Sequence, residues 1–347
     1  MGATGTRERI LLAAAGVAAG VAARELYGRW TAEEIGGQVA LITGGSRGLG
    51  LALARAFAEE GCPVAICARD EAGLERARGD LERRGARVYT VRCDVSGAEE
   101  VERMVEAVTA HYGRVDILVN NAGIIQVGPV ETMTLDDFHG AMNAMFWGTV
   151  HGTLAVMPQM LERGSGRIVN ITSIGGKVSV PHLLPYNCAK FACVGFSEGL
   201  RAELRPRGIK VTTIAPGLMR TGSYLNALFS TDADSAWFGV GAAMPGLTMS
   251  ARRAARQIVM ATRRGEAERV LSTQANLLAR FHGLFPGATS DMLSVVERSF
   301  MPKARGAREK SRGSESAVNR KRVLSALTVM GRSAAKEYLQ PQEAGGR

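Results

Sequence analysis

Residues 39–50 read Val39-Ala40-Leu41-Ile42-Thr43-Gly44-Gly45-Ser46-Arg47-Gly48-Leu49-Gly50, a short apolar run that passes directly into a glycine-rich turn. The apolar part has the length and β-branched content of a buried strand. Helical spacing takes over at Leu49–Glu60. Glycines in such a turn let the backbone reverse tightly and approach a bound group without Cβ clashes. The helix that follows offers free N–H groups and the positive end of its dipole to a phosphate. A glycine-rich turn alone is weak evidence, because many tight turns look similar. Set between a strand and a helix at the head of an alternating chain, it reads as a dinucleotide-binding turn.

The alternation continues outward from this point. Pro63–Ala68, Arg87–Arg92, Val115–Val119, Arg167–Thr172 and Lys210–Ile214 are compact, strand-like runs, and Val270–Ser272 is a last candidate. Stretches of helical character separate them, Glu71–Arg84 and Glu99–His111 among them. Near-continuous apolar strands joined by helices imply a parallel sheet covered on both faces. The expected fold is therefore α/β, a doubly wound parallel sheet of the Rossmann type in a single domain over 37–272. Residues 1–36 form an apolar N-terminal segment, 273–302 a helical extension and 303–347 a basic, largely flexible tail. Ligands of such sheets bind beyond the carboxyl ends of the strands, where strand order reverses.

Composition narrows the function. The chain of 347 residues is 46% hydrophobic and 22% charged, an ordinary globular balance. Of the net charge of +10, the stretch Lys303–Arg347 carries +7. The rest is unremarkable for a folded domain, and no aromatics interleave the basic residues, so a nucleic-acid partner is not expected. The tail reads as a solvated segment or as a weak hold on an anionic membrane surface. Cys62, Cys67, Cys93, Cys188 and Cys193 include no C-x-x-C pair and read as buried free thiols in a reducing, cytoplasmic setting. The histidines lack metal-ligand spacing, and no metal site is expected. Near the start, Ile10–Ala23 is a run of fourteen uncharged residues rich in Ala and Gly. It is short for a membrane span, and a marginal anchor, a signal-peptide core and a docked helix all fit it.

Residues with chemistry fall where the fold requires them. The second strand ends Cys67-Ala68 and is followed by Arg69, not by the acid that commonly holds a ribose 2′-OH. Arg47 lies inside the glycine turn. Two guanidiniums suit a 2′-phosphate, which favours NADP(H) over NAD(H); Asp70 comes one residue late. Asp94-Val95 and Asn120-Asn121-Ala122-Gly123 follow the third and fourth strands. Taken alone these are turn formers; taken together they sit where adenine and its ribose would lie. Tyr186 and Lys190 are four residues apart and share one helical face. A phenol is a poor acid/base at neutral pH, and a nearby ammonium would pull its pKa down. Ser173, just past the fifth strand, could hydrogen-bond a carbonyl oxygen as negative charge grows on it.

Thr43–Gly50, Asn120–Gly123, Ser173, Tyr186 with Lys190, and Pro216-Gly217-Leu218-Met219-Arg220-Thr221 resemble, in this order, the short-chain dehydrogenase/reductase family. The resemblance covers residues 37–272 and points to the short single-domain branch, here with terminal extensions. It implies that Ser173 orients the substrate, that Tyr186 transfers the proton, and that Lys190 assists and binds the nicotinamide ribose. It further implies cofactor contacts from Gly44, Ser46, Arg47, Gly48, Leu49, Gly50, Arg69, Asp94, Val95, Asn121, Ala122, Gly123, Tyr186, Lys190, Pro216 and Gly217, with Thr221 on the carboxamide. Hydride would pass between the nicotinamide and a carbonyl/alcohol carbon, and a homodimer or homotetramer is implied. One position departs from the family: Met145 stands where an Asn commonly anchors a proton relay, and Asn143 would need a shifted register to replace it. A thioether donates no hydrogen bond. The chain thus reads as an NADP(H)-dependent carbonyl reductase, or alternatively as a catalytically impaired nucleotide-binding scaffold.

The stretch Gly222–Met249 carries Tyr224, Leu225, Leu228, Phe229, Trp237 and Phe238, which fit an apolar lid or a subunit contact. Ala275–Phe300 adds Leu277, Leu278, Phe281, Leu284 and Phe285, either roofing the pocket or facing a membrane. These features favour a lipophilic ketone or secondary alcohol as substrate. Beyond them, Lys303–Val318 reads as a flexible linker, and Val323, Leu324, Leu327, Met330 and Ala334 recur at helical spacing.

Overall fold

A computed structural model of the protein describes residues 32–244, 248–303, 310–315 and 329–340. Twelve strand segments occur in it: β1 Ala40–Thr43, β2 Val64–Ala68, β3 Val88–Arg92, β4 Ile117–Asn120, β5 Gln126–Val127, β6 Gly166–Ile171, β7 Ile209–Pro216, β8 Met219–Arg220, β9 Leu228–Phe229, β10 Met249–Ser250, β11 Glu268–Leu271 and β12 Ser311–Arg312. The helices are α1 Gly48–Glu59, α2 Glu71–Arg83, α3 Ala98–Tyr112, α4 Leu135–Ala141, α5 Gly148–Arg163, α6 Leu184–Leu204, α7 Asp232–Ala243, α8 Ala251–Arg264, α9 Thr273–Leu284, α10 Pro286–Phe300 and α11 Val329–Glu337. A π-helical turn, Met142–Trp147, joins α4 to α5.

Seven strands form one sheet in the order β11-β7-β6-β4-β1-β2-β3, every pair parallel. The expected doubly wound fold is what the chain adopts. Strand alternation builds the two faces: Ala40, Ile42, Val64 and Ile66 enter one core with α1 and α8, while Leu41, Ala65 and Cys67 enter the other with α3 and α5. Small residues let α1 lie close to α8, whose Ala254, Ala255, Ile258 and Val259 are buried while its arginines 252, 253 and 256 line the opposite side. Strand order reverses at β1, which sits between β2 and β4. The loops after β1, β4, β6 and β7 therefore converge on one crevice.

Beneath that crevice a polar chain crosses the sheet. Asn120 Nδ2 donates to Asn170 Oδ1 at 2.9 Å, Asn170 Nδ2 donates to Ser197 Oγ at 3.0 Å, and Ser197 Oγ pairs with Thr213 Oγ1 at 2.7 Å. All four side chains are buried. Buried polar groups persist when they satisfy one another, and this chain ties β4, β6, α6 and β7 together.

Within the stretch expected to be largely flexible, residues 310–315 and 329–340 are described and dock on the domain. Residues Ser311–Arg312 pair with Leu228–Phe229, completing a small sheet in the order β12-β9-β5. Helix α11 packs on the domain, with Ala335 and Tyr338 buried. The reason is long-range burial, which local charge content does not report. Cys188 also departs from expectation: it is exposed on α6, whereas Cys62, Cys67, Cys93 and Cys193 are buried thiols. No helix among the described residues is long and apolar enough to cross a membrane, and Ile10–Ala23 lies outside them.

Candidate active site

The nucleotide end is built at the mouth of β1. Gly44 and Gly48 take positive φ, +65° and +59°, the left-handed region that glycine enters without cost. Thr43, which the sequence marks only as the end of the strand, holds the turn to the neighbouring strand. Its Oγ1 accepts from Asn121 N at 2.9 Å and Ala122 N at 3.0 Å. Asn121 Nδ2 in turn donates to Thr43 O at 2.9 Å. Helix α1 starts with no side-chain cap and no acidic residue in its first turn. The protein's own side chains therefore leave its positive end without a negative partner, as a phosphate-binding helix requires. The residues fit a dinucleotide.

Around the adenosine end, Arg47 is half-buried and Arg69 exposed. Burial lowers the Arg47 pKa, Asp70 opposes this, and Arg312, Arg69 and Arg76 add to the lowering. Arginines clustered this way are relieved by an anion. Asp70 is engaged elsewhere: its side chain caps α2 by accepting from Gly73 N at 3.1 Å. Arg69 Nη1 lies 3.6 Å from Asp94 Oδ2. Burial pushes the Asp94 carboxyl up, but Ser96 and Arg69 together hold it below its usual value. Val95 is buried, packed against Gly148. Ser46 and Leu49 are buried within the turn.

At the catalytic end, α6 carries Tyr186 and Lys190 on one face, and the loop after β6 brings up Ser173. Ser173 and Tyr186 meet around Gly175, where a Cβ would lie 3.2 Å from Tyr186 Cε1 and 3.5 Å from Ser173 Oγ. Lys190 Nζ lies 5.8 Å from the centre of the Tyr186 ring and donates to Ile171 O at 2.8 Å. The structure thus gathers all three. It differs from the sequence reading on one point, the direction of the phenol's shift. Burial pushes the Tyr186 phenol above its usual value, and the neighbouring Ser173 hydroxyl offsets this only in part. Burial likewise lowers the Lys190 ammonium. Desolvation dominates here because both groups sit in one low-dielectric pocket. Asn187 supports the arrangement: its Nδ2 donates to Val180 O at 2.7 Å and pins the loop after Ser173 to α6.

Thr221 is buried beyond β7, and Gly217 N donates to Leu271 O at 3.3 Å, fixing the Pro216–Thr221 loop against β11. Met145 is buried in the π-turn beside Gly123, whose Cβ, were there one, would lie 3.4 Å from the Met145 sulfur and 3.9 Å from Lys190 Nζ. Asn143 is exposed, so it does not take the place of Met145. The lid residues Tyr224, Leu225 and Phe229 are buried, and Ile125, Val180, Trp237 and Phe238 join Phe229 in an apolar cluster that touches Tyr186. Next to it lies a cavity of about 490 Å³ lined in part by Val130, Val178, Val180, Leu184 and Leu293. Helix α10 walls this cavity, while Leu277, Leu284, Phe285 and Phe300 of the extension are exposed.

Comparison with known proteins agrees with this geometry. Residues 38–228 match the family model described as short chain dehydrogenase. The chain is 36% identical over 252 residues to a Mycobacterium tuberculosis protein named "Putative oxidoreductase SadH", spanning 71% of this chain and 91% of that protein. Among solved structures it resembles a variant of the actinorhodin polyketide ketoreductase with NADPH, at a TM-score of 0.62 and 32% identity over 69% of this chain and 97% of that one. It also resembles a short-chain dehydrogenase/reductase from Burkholderia phymatum in complex with NAD, at a TM-score of 0.68 and 25% identity over 74% and 96% of the two chains. A doubly wound sheet with its glycine turn at β1, matched by a family model across the whole run from β1 to the start of β9, leaves one assignment: the chain belongs to the short-chain dehydrogenase family of oxidoreductases.

Proposed function

We propose that the protein interconverts a lipophilic carbonyl compound and its secondary alcohol with NADP(H), Tyr186 serving as the proton donor and acceptor. The observation that carries this is the Tyr186 phenol, set beside Ser173, near the Lys190 ammonium and beneath an apolar lid. The bound nicotinamide supplies or accepts hydride. Ser173 and Tyr186 both present hydroxyls to a carbonyl oxygen, and Tyr186 delivers its proton as negative charge develops there. Lys190, anchored by Ile171 O, holds a positive charge close to the phenol as it becomes phenolate. The apolar cluster of Phe229, Trp237 and Phe238 supports a lipophilic substrate and keeps water from the reacting atoms.

The raised phenol sets the pH behaviour. A phenol above its usual range stays protonated through neutral pH, which suits reduction, where the proton must be given. Oxidation needs phenolate. Reduction is therefore expected to run level between about pH 6 and pH 8, while oxidation of the same alcohol climbs throughout that span. An oxidation profile already flat at neutral pH contradicts this assignment.

The preference for NADP(H) rests on the arginine cluster at Arg47 and Arg69 and on the diversion of Asp70 into capping α2. Titration with NADPH and NADH, followed by quenching of Trp and Tyr fluorescence, tests it. Removing both guanidiniums in Arg47→Ala/Arg69→Ala is expected to weaken NADPH by about tenfold to a hundredfold and to leave NADH nearly unchanged. Equal losses for the two nucleotides refute the preference.

Met145 favours a second reading, a nucleotide-binding scaffold with impaired turnover, because a thioether beside Gly123 cannot anchor a relay water by donation. Measurable turnover that depends on Tyr186 rules it out. The exposed Leu277, Leu284, Phe285 and Phe300 suit contact with a second copy of the chain, as a homodimer or homotetramer, or with a membrane surface.

A further inference from the structure

The C-terminal segment that contains α11 reaches the nucleotide crevice itself. The carbonyl of Tyr338 accepts from Gly48 N at 2.9 Å. Gly48 is the first residue of α1, so its N–H is one of the donors that a phosphate at this helix end would claim. Gln340 then spans the crevice. Its Nε2 donates to Thr221 O at 3.2 Å, its Oε1 accepts from Asn226, and a Cβ on Gly48 would stand 2.7 Å from Nε2. One side chain thus bridges the glycine turn and the loop after β7.

The rest of the segment is tied down around this point. Arg55 of α1 donates to Glu337 O at 2.9 Å, and its guanidinium lies 5.2 Å from the centre of the Tyr338 ring. Tyr338 enters the core on the α1 face, and Ala335 is fully buried against Gly222. Leu339 is held at φ +53°, a left-handed conformation unfavourable for a non-glycine residue.

We propose that the segment Val329–Gln340 is an internal plug of the nucleotide site, so that cofactor binding requires its displacement. The chemistry is competition for one donor: the Tyr338 carbonyl oxygen and a phosphate oxygen are both acceptors, and only one of them can take the Gly48 N–H. An occupied plug lowers apparent nucleotide affinity by the fraction of molecules in which it is open. The proposal rests on the dinucleotide reading of the crevice.

The test uses the full-length chain. Ala335→Asp places a carboxylate where Ala335 meets Gly222 and weakens docking without touching the glycine turn. NADPH is expected to bind this variant about tenfold more tightly than it binds the parent. Hydrogen exchange on the parent provides a second readout: saturating NADPH is expected to speed exchange at residues 333–340 while slowing it at 44–50. Equal affinities for parent and variant, or slower exchange at 333–340 when NADPH is bound, overturn the plug and leave the nucleotide site standing. Failure of both chains to bind NADPH or NADH overturns the plug together with the dinucleotide reading.

Discussion

Replacing Tyr186 by Phe lowers turnover by about 10²–10⁴-fold, the usual worth of a positioned general acid, while NADPH binds as before. The substitution removes one oxygen and leaves the ring, so the packing of Val180, Leu183 and Phe238 around it persists. What disappears is the proton donor beside Ser173. Ser173 then remains the only hydroxyl of the pair, and a serine hydroxyl does not release a proton near neutral pH. The measurement is a comparison of steady-state rate and fluorescence-detected nucleotide affinity for parent and variant. Loss of rate with unchanged affinity assigns the chemistry to the phenol. Retained rate removes Tyr186 from the mechanism, and simultaneous loss of both points to a distorted α6.

The second large effect is expected at Gly50. A Cβ there would lie 2.1 Å from Gly44 O and 2.7 Å from Asn121 Nδ2. Neither atom is the free end of a flexible chain: one is backbone, and the other is fixed by its bond to Thr43 O. Gly50→Ala must therefore open the turn. Overpacking of this kind costs about 1–3 kcal/mol, seen as a melting temperature lower by several degrees. NADPH affinity falls by about tenfold to a hundredfold as phosphate donors leave their places. Gly195→Ala is the control: a Cβ on that α6 glycine meets nothing within 4 Å, so stability and binding should hold. If the two alanine variants behave alike, the close approach of α1 to the β1 turn is not what the glycine serves.

The central sheet was legible because its strands are buried on both faces, so their Val/Ile content is undiluted by polar positions. The edges of β1, β2, β3 and β6 lie within a residue or two of the apolar runs from which they were read. The candidate site was legible for a related reason, since its groups hang on loops at the ends of those strands. Two-residue strands such as β5, β9 and β12 leave no periodic trace, and they form only because distant segments meet. The helical spacing that ends at Met330 and Ala334 runs into α11, with Val323, Leu324 and Leu327 outside the described residues, but the docking of Ala335 and Tyr338 on Gly222 and Arg55 left no trace in it. The direction of the Tyr186 shift was not legible either. Spacing along a helix tells which charges are near, but desolvation depends on the lid and loops that close over them.

The polar chain from Asn120 through Asn170 and Ser197 to Thr213 bears on how this protein can change by descent. Each group is matched to the next, so an apolar replacement at any one position strands a buried partner and costs about 1–3 kcal/mol. Changing two neighbours together to apolar residues of similar shape removes that penalty. Drift at these four positions is therefore expected to proceed in pairs, and exposed positions that bond to no buried neighbour are free to diversify residue by residue.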